Sequence, residues 1–136
     1  MKVLVIDDEP AIVRFVVWAA ERAGFEAEGT ASAQEFQKSY EAEEPAIIVM
    51  DLIMPDMDGI ELMNWLSSRG CSSSIILLSG YDGRYMDTAH RLMTDMGSLN
   101  VVETIRKPTD AANIEAALIK SAANQKSTRS MCANFK

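Results

Sequence analysis

The chain is short of the residues that build thiol or imidazole scaffolds. Of 136 residues only two are cysteines, Cys71 and Cys132, and they share no C-x-x-C spacing. Neither a disulfide framework nor a zinc knuckle is expected from that count. The single histidine, His90, cannot supply a His-rich metal site. Positive charge is also scarce, since 13 Lys and Arg stand against 20 Asp and Glu for a formal net charge of −7. Binding to nucleic acid draws on Lys and Arg that displace phosphate counterions, so no direct DNA binding is expected. The apolar run at the N-terminus, Val3–Ile6, is short, and acids follow at once. That is neither a signal peptide nor a membrane span, and a cytoplasmic protein is expected. Internal repeats and linkers rich in Pro, Gly or Ser are missing from the first 120 residues.

What is present is alternation. Hydrophobic residues make up 48% and charged residues 24%, enough for one packed domain. Val3–Ile6 is apolar and β-branched, as in a strand buried on both faces. Pro10 suits the first turn of a helix, Ile12, Phe15, Val16 and Ala19 follow at helical spacing, and Gly24 closes the segment. Phe25–Thr30 is a weak second strand. Ser32 and Glu35 form a capping box that opens a helix to about Ala42. Ala46–Met50 is a third strand running into Asp51, and Pro55, Asp56, Asp58 and Gly59 mark a loop. Ile60, Met63 and Leu66 predict a helix that stops near Gly70. Ser74–Leu78 is a fourth strand ending in Ser79-Gly80. A polar helix over about 83–96 carries Met86, Ala89, Leu92, Met93 and Met96. Val101–Ile105 is a fifth strand before Arg106-Lys107-Pro108, and Thr109 can cap a last helix with Ile114, Ala117, Leu118 and Ala122. Five β–α units in a row predict a parallel sheet with helices on both faces. The domain is expected over 1–122, with 123–136 as a frayed, disordered tail.

The chemically able side chains all follow strands. Asp7 and Asp8 follow the first, Asp51 the third, Ser79 the fourth and Lys107 the fifth. Ligands of open parallel sheets bind outside the carboxyl ends of the strands, so these residues would meet at one edge. Three carboxylates held together repel one another and call for shared protons or a cation. Their hard oxygens suit Mg²⁺, which favours a few carboxylates and phosphate oxygens. A carboxylate can also act as a nucleophile toward phosphorus and form an aspartyl phosphate. A divalent ion, a lysine and a hydroxyl are the groups that would stabilise charge on the transferred phosphoryl oxygens.

The segments Val3-Leu-Val-Ile-Asp-Asp-Glu9, Asp51-Leu-Ile-Met-Pro-Asp-Met-Asp-Gly59, Leu78-Ser-Gly80 and Arg106-Lys-Pro108 resemble the motifs of response regulator receiver domains, in order, over about 2–122. The resemblance implies a flavodoxin-like doubly wound α/β fold with strand order 2-1-3-4-5, an order illustrated by a known member of that family. It also implies Asp51 as phosphoacceptor. Asp7 and Asp8, with the backbone carbonyl of Ile53, would hold Mg²⁺ beside it. Ser79 would be the switch hydroxyl and Lys107 the phosphate-pairing lysine, preceding a cis proline. The implied partner is a sensor histidine kinase or a histidine phosphotransfer protein. The implied output is a switched surface of the fourth helix, fifth strand and fifth helix that binds a partner or a second copy as a homodimer. Such a domain is a signalling switch, catalysing only its own phosphorylation and dephosphorylation.

Each motif alone has a bland reading: helix capping for Asp7-Asp8, a solvated strand end for Asp51, a turn for Ser79-Gly80, a surface loop for Lys107-Pro108. Four in order at strand ends do not. Asp56 and Asp58 read as turn residues, His90 as a solvated surface residue, and the methionines as core filler.

The sequence departs from the family pattern in places. Thr104 stands where many receivers carry an aromatic switch residue. Asp87-Thr-Ala-His-Arg-Leu92 and Asn100-Val-Val-Glu-Thr-Ile105 are similar to receivers fused to cyclic-di-GMP phosphodiesterase domains of the EAL type. Ile53 and Tyr81, which flank the phosphoryl site in the family, are bulky and carry neither carboxylate nor amide, predicting slow hydrolysis. A flavodoxin would need a Ser-, Thr- and Gly-rich loop where Asp7-Asp8-Glu9 stands. A haloacid-dehalogenase phosphatase would need an Asp-x-Asp arrangement there. A receiver degenerated to a docking module is opposed by the intact set Asp7, Asp8, Asp51, Ser79 and Lys107.

Overall fold

In this computed structural model the described residues are 1–51, 53–54, 57–79, 99–106 and 110–134, with 53–54, 57–60, 79, 106 and 124–134 described by backbone alone. Strand β1 (Lys2–Ile6) leads to helix α1 (Pro10–Arg22), strand β2 (Glu26–Thr30) and helix α2 (Ala33–Ala42). Strand β3 (Ile47–Asp51) is followed by the two-residue strands β4 (Ile53–Met54) and β5 (Met57–Asp58), which pair antiparallel, and by helix α3 (Gly59–Ser68). Strands β6 (Ser74–Ser79) and β7 (Asn100–Arg106) complete the sheet, and helix α4 (Ala111–Asn134) ends the described chain. The order β2-β1-β3-β6-β7 is parallel throughout. Counting sheet strands alone, this is the expected 2-1-3-4-5.

Alternation along the central strands divides their side chains between two cores, because successive residues of a strand point to opposite faces. Leu4 and Ile6 of β1 join Ile48 and Met50 of β3 against Phe36, Tyr40, Leu62, Met63 and Leu66 of α2 and α3. Val3, Val5, Ile47 and Val49 face Val16, Ala19 and Ala20 of α1 and Ile114, Ala117 and Leu118 of α4. Both faces being covered explains why β1 and β3 read as unbroken apolar runs.

Two helix ends show why their glycines are needed. Gly24 (φ 92°) and Gly70 (φ 66°) occupy the left-handed region that other residues avoid. Phe25 N–H donates to the Ala20 carbonyl and Gly24 N–H to that of Glu21. Cys71 N–H donates to Leu66 and Gly70 N–H to Ser67 in the same pattern. Both are Schellman closures, and each sets the chain up to enter the next strand.

Ser32 caps α2 as expected, accepting from Glu35 N–H at 3.2 Å, but the Glu35 carboxylate reaches Ala31 N–H rather than that of Ser32. At the last helix the Asp110 carboxylate caps the first turn, accepting from Asn113 N–H at 2.9 Å; Thr109, the expected cap, lies outside the described residues. The helix is continuous to Asn134. No Gly or Pro occurs between Ala111 and Asn134 to break it. The expected helix over about 83–96, with His90, lies outside the described residues.

A bulge in β7 aligns the far side of the sheet. Ile75 pairs with Val101 but Ile76 with Glu103, so Val102 is an extra residue. Beyond it Leu78 pairs with Ile105 and Ser79 with Arg106. Ile105 is thereby delivered to the same core as Leu78.

Candidate acidic site at the strand ends

Strand register decides what meets at the carboxyl edge. Ile6 pairs with both Thr30 and Met50, so the acids after β1 leave the sheet beside Asp51, the last residue of β3. Asp51 pairs with Leu78, so Ser79, the last residue of β6, lies one position beyond on the adjacent strand. Ser79 in turn pairs with Arg106, and the chain continues from there to Lys107. Lys107 and Tyr81 lie outside the described residues, and of Ser79 and Ile53 the backbone alone is described.

The carboxylates of Asp7, Asp8 and Asp51 come together, each offering an oxygen within 4.8 Å of the others. Asp7 is fully buried and Asp51 is 3% exposed, whereas Asp8 is half-buried. Asp7 Oδ1 accepts from Glu9 N–H at 3.0 Å, a local bond that turns the chain into α1. Burial pushes the Asp8 carboxyl above its ordinary value, reinforced by its hydrogen bond to Asp7 and by the charges of Asp7 and Asp51. The cluster therefore holds more negative charge than its surroundings solvate.

That crowding fits a divalent ion. Three carboxylate oxygens at this spacing are a hard donor set of the kind Mg²⁺ takes, leaving positions for water or phosphate oxygens. Asp51 is buried and at a strand terminus, so its position is fixed by the β3 ladder rather than by a loop.

One contributor escaped the sequence reading. Thr30, 3% exposed at the end of β2, donates its hydroxyl to the Val5 carbonyl at 2.7 Å, and its own carbonyl accepts from Asp7 N–H at 3.3 Å. The available signal was a β-branched polar residue closing a strand whose neighbour ends in acids.

The family profile of the response regulator receiver domain matches residues 3–119. The chain is 33% identical over 84 residues to the alkaline phosphatase synthesis transcriptional regulatory protein PhoP of Bacillus subtilis, covering 62% of this chain and 35% of that protein. It is 30% identical over 118 residues to the photosynthetic apparatus regulatory protein RegA of Cereibacter sphaeroides, covering 85% of this chain and 59% of RegA. The crystal structure of a response regulator from Colwellia psychrerythraea superposes with a TM-score of 0.73 at 28% identity, covering 90% of this chain and 97% of that one. This chain thus spans only part of the length of the two curated regulators and nearly all of the solved response regulator.

Proposed function

Because this chain belongs to the response regulator receiver domain family, we propose that it is a switch in which Asp51 accepts a phosphoryl group from a phosphohistidine. The donor is a sensor histidine kinase or a histidine phosphotransfer protein. The observation that carries this reading is the gathering of Asp7, Asp8 and Asp51 at the carboxyl edge, with Asp51 buried at the end of a central strand.

A carboxylate oxygen of Asp51 attacks phosphorus as the phosphorus–nitrogen bond of the phosphohistidine breaks, and the departing electron pair stays on the imidazole. Asp7, Asp8, Asp51 and the Ile53 carbonyl would hold Mg²⁺, which when bound neutralises charge on the phosphoryl oxygens. The Lys107 ammonium pairs with one of those oxygens and the Ser79 hydroxyl donates to another. Dephosphorylation is attack by water on the same phosphorus as its bond to the Asp51 oxygen breaks, which returns the Asp51 carboxylate and releases inorganic phosphate. Bulky Ile53 and Tyr81 slow it by leaving no polar group to orient that water.

The added charge shifts the loops after β3 and β6 and the face formed by the helix expected over about 83–96, β7 and α4. That face binds a partner protein or a second copy of the chain. With Thr104 at the usual aromatic position, coupling runs through Ser79 and the backbone. The domain works in the cytoplasm and, with its net charge of −7, meets proteins rather than DNA. Its wording over 87–105 supports a kinship with receivers of EAL-type phosphodiesterases.

Intact mass after incubation with acetyl phosphate and Mg²⁺ tests the proposal. One phosphate should add to the wild type and none to Asp51→Asn or to the metal-free control. A folded wild type that gains no phosphate overturns the reading and favours a docking module.

A further inference from the structure

We propose that Thr30 is a positioning residue for the acidic cluster, acting through the last rung between β1 and β2; the inference rests on the reading of that cluster as a Mg²⁺ site. Strand β2 is a sheet edge of sequence Glu-Ala-Glu-Gly-Thr, and Thr30 is its one buried residue. The strand is therefore held at the site end by this residue and by backbone pairing, with little apolar burial of its own to fix it. At that rung Thr30 makes two bonds to β1 in opposite senses. Its hydroxyl donates to the Val5 carbonyl at 2.7 Å, and its carbonyl accepts from Asp7 N–H at 3.3 Å. Val5 and Asp7 bracket the last residue of β1, so Thr30 clamps the chain where Asp7 and Asp8 leave the sheet.

The choice of residue is informative. A valine would fill the same volume in a strand with equal or better propensity and no hydroxyl to satisfy. Threonine adds nothing to packing there, and what it adds is a short bond across the strands beside the Asp7 peptide. Gly29, the preceding residue, lets α1 approach closely, since a Cβ there would collide with Val13 Cγ1 and sit 3.3 Å from Val17 Cγ2. Gly29 and Thr30 together set the start of α1 and the end of β1, the two elements that flank Asp7 and Asp8. Groups that orient metal-ligating carboxylates from behind commonly govern affinity as strongly as a weak ligand does.

The test uses Mn²⁺ as the probe, with affinity read by electron paramagnetic resonance of the free ion and by Mg²⁺ competition. Thr30→Val should weaken Mn²⁺ binding by about tenfold, the lower range for an outer partner. Thr30→Ser, which keeps the hydroxyl, should restore it to within about twofold. Hydrogen exchange at the Asp7 amide should accelerate in Thr30→Val by more than at Leu4, mid-strand, a local loosening that a general loss of stability would not give. Thr30→Ala serves as a second hydroxyl-free variant if Thr30→Val does not fold. Wild-type affinity in a folded Thr30→Val protein, or no recovery in Thr30→Ser, overturns the inference and leaves the metal site standing. A wild type that binds no Mn²⁺, or binds it equally after Asp51→Asn, overturns the metal site itself and this inference with it.

Discussion

Replacing Asp8 by asparagine should stabilise the metal-free protein and weaken its response to Mg²⁺. The three carboxylates lie within 4.8 Å of one another. Two unit charges at that distance interact by about 3 kcal/mol at an effective dielectric of about 20. Asp8 is half-buried, so water and salt screen its share, and the net gain from removing its charge is expected at about 1–2 kcal/mol. Asparagine keeps the shape and can still donate a hydrogen bond to Asp7, so the change isolates charge from packing. Urea unfolding at pH 7 with EDTA should show a higher midpoint for Asp8→Asn than for the wild type, with the slope unchanged. Saturating Mg²⁺ should reverse the order, since a ligand at a hundred times its Kd stabilises the state it binds by about 2.7 kcal/mol and the variant lacks one of the ligands. A variant less stable than the wild type in EDTA would refute the charge argument and recast the cluster as a hydrogen-bonded cap.

Gly29→Ala should cost about 1–2 kcal/mol, the overpacking against Val13 and Val17 less the backbone entropy that alanine saves; an unchanged urea midpoint would mean that α1 moves away freely. Burial pushes the Tyr40 hydroxyl well above its ordinary value, with a hydrogen bond to Cys71 adding to the shift. The neutral phenol is thus the form the fold prefers, so its contribution is intact below about pH 10 and lost as pH rises beyond. Stability should fall above that pH in the wild type and less steeply in Tyr40→Phe, and parallel curves would contradict the assignment. Ile53→Asn combined with Tyr81→Glu should shorten the life of phosphorylated Asp51, measured as loss of the mass adduct, and an unchanged decay would remove the steric account of slow hydrolysis.

Much of this molecule was legible because its signals are local. Strands buried on both faces must be apolar throughout, so Val3–Ile6, Ala46–Met50 and Ser74–Leu78 stood out, and β1, β3 and β6 fall on them to within a residue or so at either end. Pro10, Gly24, Ser32 and Gly70 punctuate helices by backbone rules that act within a few residues. That Asp7 and Asp8 follow β1 and that Asp51 and Ser79 close β3 and β6 could be read from the strand assignments and the rule for parallel sheets, while Lys107 lies outside the described residues. At the last helix Asp110 supplies a cap to Asn113 N–H, and a polar stretch without Gly or Pro stays helical to Asn134.

The sequence by itself determined the alternation, the parallel sheet and the identity of the acids, since each follows from burial period and turn chemistry along a contiguous stretch. Tertiary structure alone decided how the strand ends align. The pairing of Ile6 with Met50 brings Asp7 and Asp8 to Asp51, and the extra residue at Val102 levels Arg106 with Ser79. Thr30 likewise gains its role only once β2 lies against β1. Register is a property of two chains segments distant in sequence, fixed by which side chains must share a core face, and no single segment carries it.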